Sequence, residues 1–133
     1  MARKILCAVI MVMALAVSCA YGAGRKPDID LSKMNGVMAY SGLFNVMCDP
    51  PAYEGKIIKV KGMCDSVHDE ETGEDYYGVV MMDGTMCCSL GVDFVLKSGK
   101  YPQPGEVITV MGMFEQYKDG EDIFCRLSDA ELM

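Results

Sequence analysis

The sequence predicts an all-β domain: a small five-stranded barrel with one helix at its N-terminal side. Three observations carry this. Most of the chain beyond residue 50 alternates apolar and polar residues in short runs separated by turn residues, the pattern of half-buried strands. Two of these runs match each other, and each carries a glycine inside the strand, where small barrels bend. Helical spacing occurs only once, ahead of all the long strand runs.

The first twenty residues read as a signal peptide. Arg3 and Lys4 precede the thirteen apolar residues Ile5 to Val17, too few for a membrane-spanning helix, which needs roughly 20. Small residues follow at Ser18, Ala20, Gly22 and Ala23, as at a cleavage site. Cleavage after Ala20 and cleavage after Gly22 both fit. Leu15-Ala16-Val17-Ser18-Cys19 is also a loose lipobox, which makes Cys19 a candidate lipidation site and the lipid the one link to a membrane. Residues 21–34 are rich in glycine and charge, lack periodicity and read as a tether, which leaves 35–133 as the domain.

Within it, Val37, Met38, Leu43, Phe44, Val46 and Met47 give the helix over 36–48. Asp49-Pro50-Pro51 ends it, because a residue before proline is driven out of the helical region. Gly55 to Met63 and Gly105 to Met113 are the matched strands, with Ile58/Val60/Gly62 and Ile108/Val110/Gly112 on their inner faces. Between them lie Tyr76 to Met82 and Cys87 to Leu96, joined across Asp83-Gly84. A last short strand places Ile123, Cys125 and Leu127 inward. The segment 97–105 holds two prolines and two glycines and should not be helical. Five strands, two strongly bent, define an OB-fold-like barrel whose open end the helix 36–48 is placed to plug.

Removal of residues 1–20 leaves ten basic residues against nineteen acidic, a net charge near −9. That balance repels phosphate backbones and argues against nucleic-acid partners, the usual expectation for such a barrel. A single histidine, no nucleophile paired with a base and no phosphate-cradling glycine loop leave enzymatic activity without support.

Cysteine is the most specific signal. Beyond Cys7 and Cys19 the chain has Cys48, Cys64, Cys87, Cys88 and Cys125, an odd number, so at least one thiol is free, shared or bound. Export permits disulfides. Alternation turns Cys88 and Cys125 inward, and a Cys88–Cys125 bridge would close a loop of about 37 residues, worth roughly 3–4 kcal/mol on the chain-entropy model. The alternative is a soft-metal site for zinc or copper on Cys87, Cys88 and Cys125, with Met86 beside them. Met63, Met111 and Met113 fall on the strand faces opposite the Ile/Val set, as a soft-metal surface, an adaptable binding surface or filler against the helix 36–48. Asp65 to Asp75, with six acids and His68, reads as a solvated hairpin turn rather than a cation loop.

Tyr40-Ser41-Gly42-Leu43-Phe44-Asn45-Val46-Met47, Asp49-Pro50, Tyr53-Glu54-Gly55-Lys56, Asp75-Tyr76-Tyr77, the twin Cys87-Cys88 with Gly91 and Phe94, and Phe124-Cys125-Arg126-Leu127 together resemble a family of exported, functionally uncharacterised bacterial OB-fold proteins. The likeness spans roughly residues 36–132. The twin cysteine also resembles that of OB-like domains encoded beside certain bacterial permeases. What the resemblance implies is the fold, export and a grouping of Cys87, Cys88 and Cys125; it implies no activity. The sequence thus describes an exported, periplasmic or lipid-anchored, non-enzymatic binding module for an envelope protein or small ligand, with the thiol-based zinc or copper binder as the alternative. Intact-mass measurement of protein recovered from the envelope tests the leader: a chain starting at Tyr21 or Ala23 marks cleavage, a diacylated chain starting at Cys19 marks the anchor, and an uncut chain refutes export.

Overall fold

In the computed structural model the described residues are 24–133; the leader, its cleavage sites and Cys19 lie outside them. The chain runs β1 (Ile29–Asp30), α1 (Gly36–Cys48), α2 (Pro50–Tyr53), β2 (Ile57–His68), β3 (Asp75–Met82), β4 (Ser89–Leu96), β5 (Val107–Asp119) and β6 (Asp122–Leu132). It is mostly β: one mixed six-stranded sheet in the order β1-β2-β3-β4-β6-β5, with β2 also paired to β5. The pairings therefore run in a cycle through β2, β3, β4, β6 and β5. β4 and β6 are parallel, as are β1 and β2; the remaining pairs are antiparallel.

The two matched segments turn out to be partners. Val60 lies opposite Val110, Ile58 opposite Gly112, and Gly62 opposite Ile108, so each glycine faces the other strand's isoleucine. Each glycine is also a branch point. β2 is held by β5 up to Met63 and by β3 from Met63 onward; β5 is held by β2 up to Met113 and by β6 from Val110 onward, so that both neighbours flank it over Val110–Met113. A Cβ on Gly62 would stand 2.5 Å from the carbonyl oxygen of Val80, and one on Gly112 would stand 2.9 Å from both Leu127 Cβ and Ser128 O. A third strand crosses so close at these points that no side chain fits.

Helix α1 begins and ends as the sequence predicts. Asn35 caps it, its Oδ1 accepting from Met38 N at 3.0 Å, and Pro50 and Pro51 open the separate single turn α2. Its buried residues are Ala39, Leu43 and Val46, one stripe at i, i+4 and i+7. They join Ile58, Val60, Val79, Val92, Phe94, Val110, Phe114 and Leu127 in a continuous core. Fully burying such side chains contributes roughly 1.5–3 kcal/mol each. Val37, Met38 and Phe44 remain on the outer face, exposed. Residues 97–105 form no helix.

Four expectations need correction. The tether reading of 21–34 fails at its C-terminal end: Ile29–Asp30 pair with Ile58–Lys59, and Leu31 is buried in the core. The strands number six because of this two-residue addition. Ile123 is not inward but 60% exposed, since the start of β6 projects with the end of β5 as a hairpin. Cys88 is exposed rather than inward, because β4 starts only at Ser89; Met111, read as surface or as packing, is packed at 2% exposure.

Substitution at the branch points is expected to be costly. Gly62→Ala and Gly112→Ala should each lower stability by about 1–3 kcal/mol through overpacking. Gly36→Ala, where the added methyl meets nothing within 4 Å, should be neutral or slightly stabilising. Urea denaturation of the three variants tests this; equal midpoints would refute the close-approach explanation.

Candidate functional site

The principal surface feature follows from how β2 shares its partners. On the side away from β5, pairing with β1 ends at Lys59 and pairing with β3 begins at Met63. Between them the chain turns out through Ser32–Asn35 into α1, and a groove opens. Two adjoining hollows of about 340 and 540 Å³ share Gly36 and Met82. Met34, Met63, Met81 and Met82 line the first; Met38, Met82 and Met86 line the second. Six of the ten methionines beyond residue 23 thus converge here, so the residue type is concentrated rather than scattered.

The floor is buried Met81 and Leu31; the rims are exposed, with Val37 at 58% and Met86 at 72%. Lys61 and Asp83 are the only ionisable lining residues. Asp83 is already engaged. Its Oδ1 accepts from Thr85 N at 3.1 Å, Thr85 Oγ1 at 2.9 Å and Cys87 N at 3.0 Å. Desolvation raises its pKa, but the hydrogen bonds from Thr85, Cys87 and Cys88 outweigh that and hold it below the usual carboxylate range. The same bonds fix the β3–β4 loop and place Met86 at φ 59°, a left-handed conformation costing a non-glycine residue roughly 1–2 kcal/mol. The loop leans on the helix: a Cβ on Gly84 would come within 2.9 Å of Val37 Cγ2.

The twin cysteines sit on the exit of this loop, both exposed. Cys125 does not join them. Asp93 is level with Arg126 and Phe94 with Leu127, which sets Cys125 beside Val92, four residues along β4 from Cys88. At about 3.3 Å per residue that offset is about 13 Å, whereas a disulfide needs Cβ atoms about 4 Å apart. This register does not bring Cys125 to the twin cysteines, as the Cys88–Cys125 bridge and the three-thiol zinc or copper site on Cys87, Cys88 and Cys125 would each need. The five described cysteines are all free thiols, and among the described residues no group of three or more His, Cys, Asp or Glu is placed to hold a metal ion. Alternation turned Cys88 inward, yet it lies exposed ahead of Ser89, and alternation could not give its level relative to Cys125.

The acidic loop is a hairpin turn between β2 and β3. Asp69 Oδ1 accepts from Glu71 N and Thr72 N at 2.8 and 3.4 Å, Gly73 takes φ 73°, and His68 Nδ1 lies 2.6 Å from Asp75 Oδ1. The sequence flagged Met63 of the groove through methionine abundance; it could not flag Met34, Met81 or Met82, whose convergence depends on β1 docking beside β2. Among the described residues no helix is long and apolar enough to cross a membrane. The chain matches no protein-family model, no curated protein and no solved structure.

Thiol reactivity tests the placement of the cysteines. Cys64 is buried, and burial, then the carboxylates of Glu106 and Asp65, push its pKa up; Cys88 is pushed up first by its hydrogen bond with Cys87 and then by Asp83. In the native protein at pH 8, iodoacetamide should label Cys48 and Cys87 fastest, Cys88 after them, and Cys64 only on unfolding, read by peptide mass. Rapid native labelling of Cys64 would contradict the fold.

Proposed function

We propose that this chain is an exported, non-enzymatic binding module of the cell envelope, built on an OB-type barrel, and that the methionine-lined groove is its binding surface. The observation that carries the reading is the gathering of six methionines around one open groove whose lining is mostly apolar. A hollow of about 340 Å³ falls in the range of small-ligand sites, roughly 300–1,000 Å³. Unbranched, polarisable methionine reshapes around differing apolar partners at low energetic cost, and exposed apolar surface rimmed by polar residues marks interaction sites. The occupant is the apolar part of an envelope protein or small ligand.

The barrel is supported by the cycle of pairings and by the neighbouring parallel third and fifth strands of that cycle, β4 and β6. Export is supported by the leader of residues 1–20. The non-enzymatic reading is supported by a groove whose two ionisable residues include an aspartate committed to its own loop. An anilinonaphthalene sulfonate titration tests the groove. One saturable site is expected, with Met63→Lys and Met82→Lys each weakening it tenfold or more and Ile123→Lys, on an exposed apolar residue of β6, leaving it unchanged. Equal binding by all three variants would remove the groove as the binding surface.

A further inference from the structure

At the other end of β3 from the groove, and independent of it, is a second site built on Asp93. This residue lies in mid-strand on the outer face of β4, opposite Gly78 and two residues from Gly91. The missing side chains form a trough; a Cβ on Gly78 would stand 3.3 Å from Asp93 Oδ1. Two recesses, of about 100 and 210 Å³, meet at Asp93 and Tyr76. The larger is walled by Tyr76, Tyr77, Tyr101 and Tyr117, with Arg126 beyond them and Glu74 and Asp75 at its mouth. Asp65 lines the smaller one.

The Asp93 carboxylate is half-buried, and among the described residues no cation pairs with it. Its one side-chain hydrogen bond is from Tyr117 Oη to Oδ2, at 3.3 Å. Arg126 is its register partner but is used elsewhere: Nε donates to Glu115 Oε1 at 2.7 Å, and the guanidinium lies 4.5 Å from the Tyr117 ring centroid. Burial pushes the Asp93 pKa up, and the Tyr117 hydrogen bond offsets only part of this. A partly desolvated carboxylate held without a counter-charge is energetically unfavourable unless something arrives to neutralise it.

We propose that the Asp93 recess binds the headgroup of an alkylammonium cation, its charge on Asp93 and its methyl or methylene groups against the Tyr76 ring, since Tyr77 and Tyr101 stack on each other and Tyr117 carries Arg126. Aromatic faces attract organic ammonium ions through the ring quadrupole. A divalent metal ion fits poorly, because it requires about six oxygen ligands and a single carboxylate is central here. The size agrees: at about 30 Å³ per water, 210 Å³ holds about seven water-sized groups, enough for an ammonium head and too little for a large ligand. Three carboxylates against one guanidinium line the recess, and that guanidinium is already paired with Glu115.

The test is an amide chemical-shift titration of the isotope-labelled protein with tetramethylammonium chloride and with n-butylammonium chloride, in 0.15 M salt at pH 7, against sodium chloride at matched ionic strength. Saturable shifts at Gly78, Asp93 and Tyr117 are expected, with millimolar affinity for a headgroup alone, and the tighter probe identifies a quaternary or a primary ammonium. Asp93→Asn should weaken binding tenfold or more. Tyr76→Ala, which changes no charge, should also weaken it, and separates the recess from diffuse attraction to an acidic protein. Asp93→Asn should not unfold the protein. A carboxyl whose folded pKa exceeds its unfolded value subtracts stability above both values and is relieved as pH falls through the folded and then the unfolded value, so the variant should gain stability at pH 7 and lose that gain in acid. Non-saturating shifts, shifts confined to residues 69–75, or unchanged affinity in both variants would overturn the proposal.

Discussion

The structure depends on a single constraint, the crowding of three strands at Gly62 and at Gly112. At each point a strand that serves two partners is approached by one of them, whose backbone occupies the space where a side chain would stand. The antiparallel pairing of β2 with β5 sets the two crowded points symmetrically about the Val60–Val110 pair. That arrangement lets two long strands each serve two neighbours, and so lets five strands complete a cycle of pairings around one core. A near-identical local solution at both points explains why two segments fifty residues apart look alike without the chain being a repeat.

The same sharing of partners creates the surfaces. Because β2 turns from β1 to β3 over Val60–Gly62, an opening appears that neither strand fills, and methionines from β2, β3, α1 and the segments beside α1 line it. On the outer face of β3 and β4, glycine again sets the relief: Gly78 and Gly91 lower the surface around Asp93 so that tyrosines stand above it. One glycine pair closes the sheet and another shapes its exterior. The core itself is ordinary Val, Leu, Ile and Phe packing, and carries none of the chemistry.

Much of this was legible in the residues because it is local. Apolar spacing and Asp49-Pro50-Pro51 bounded α1, and alternation gave the inner faces of β2, β4 and β5. What was not legible is non-local. Ile29–Asp30 are too short for periodicity and become a strand only because β2 offers them an edge. The levels of Cys88 and Cys125 depend on the parallel β4–β6 register, which no property of either segment states. Asp93 carried a readable signal, an acid within an alternating strand two residues after a glycine; its significance required knowing that Gly78 lies across from it.

The lining of the groove has a chemical consequence apart from its shape. Thioethers are the most readily oxidised apolar groups a protein presents, and conversion to the sulfoxide makes a methionine polar and chiral. Met34, Met38, Met63 and Met86 are exposed, whereas Met81 and Met111 are shielded. An oxidant therefore reaches the rim before the interior, and rewrites the polarity of the surface while the Val, Leu and Phe core that maintains the fold is untouched. Enzymatic reduction of the sulfoxides reverses the change. Oxidation would thus turn the rim of the groove polar while its floor of Leu31 and Met81 stayed apolar.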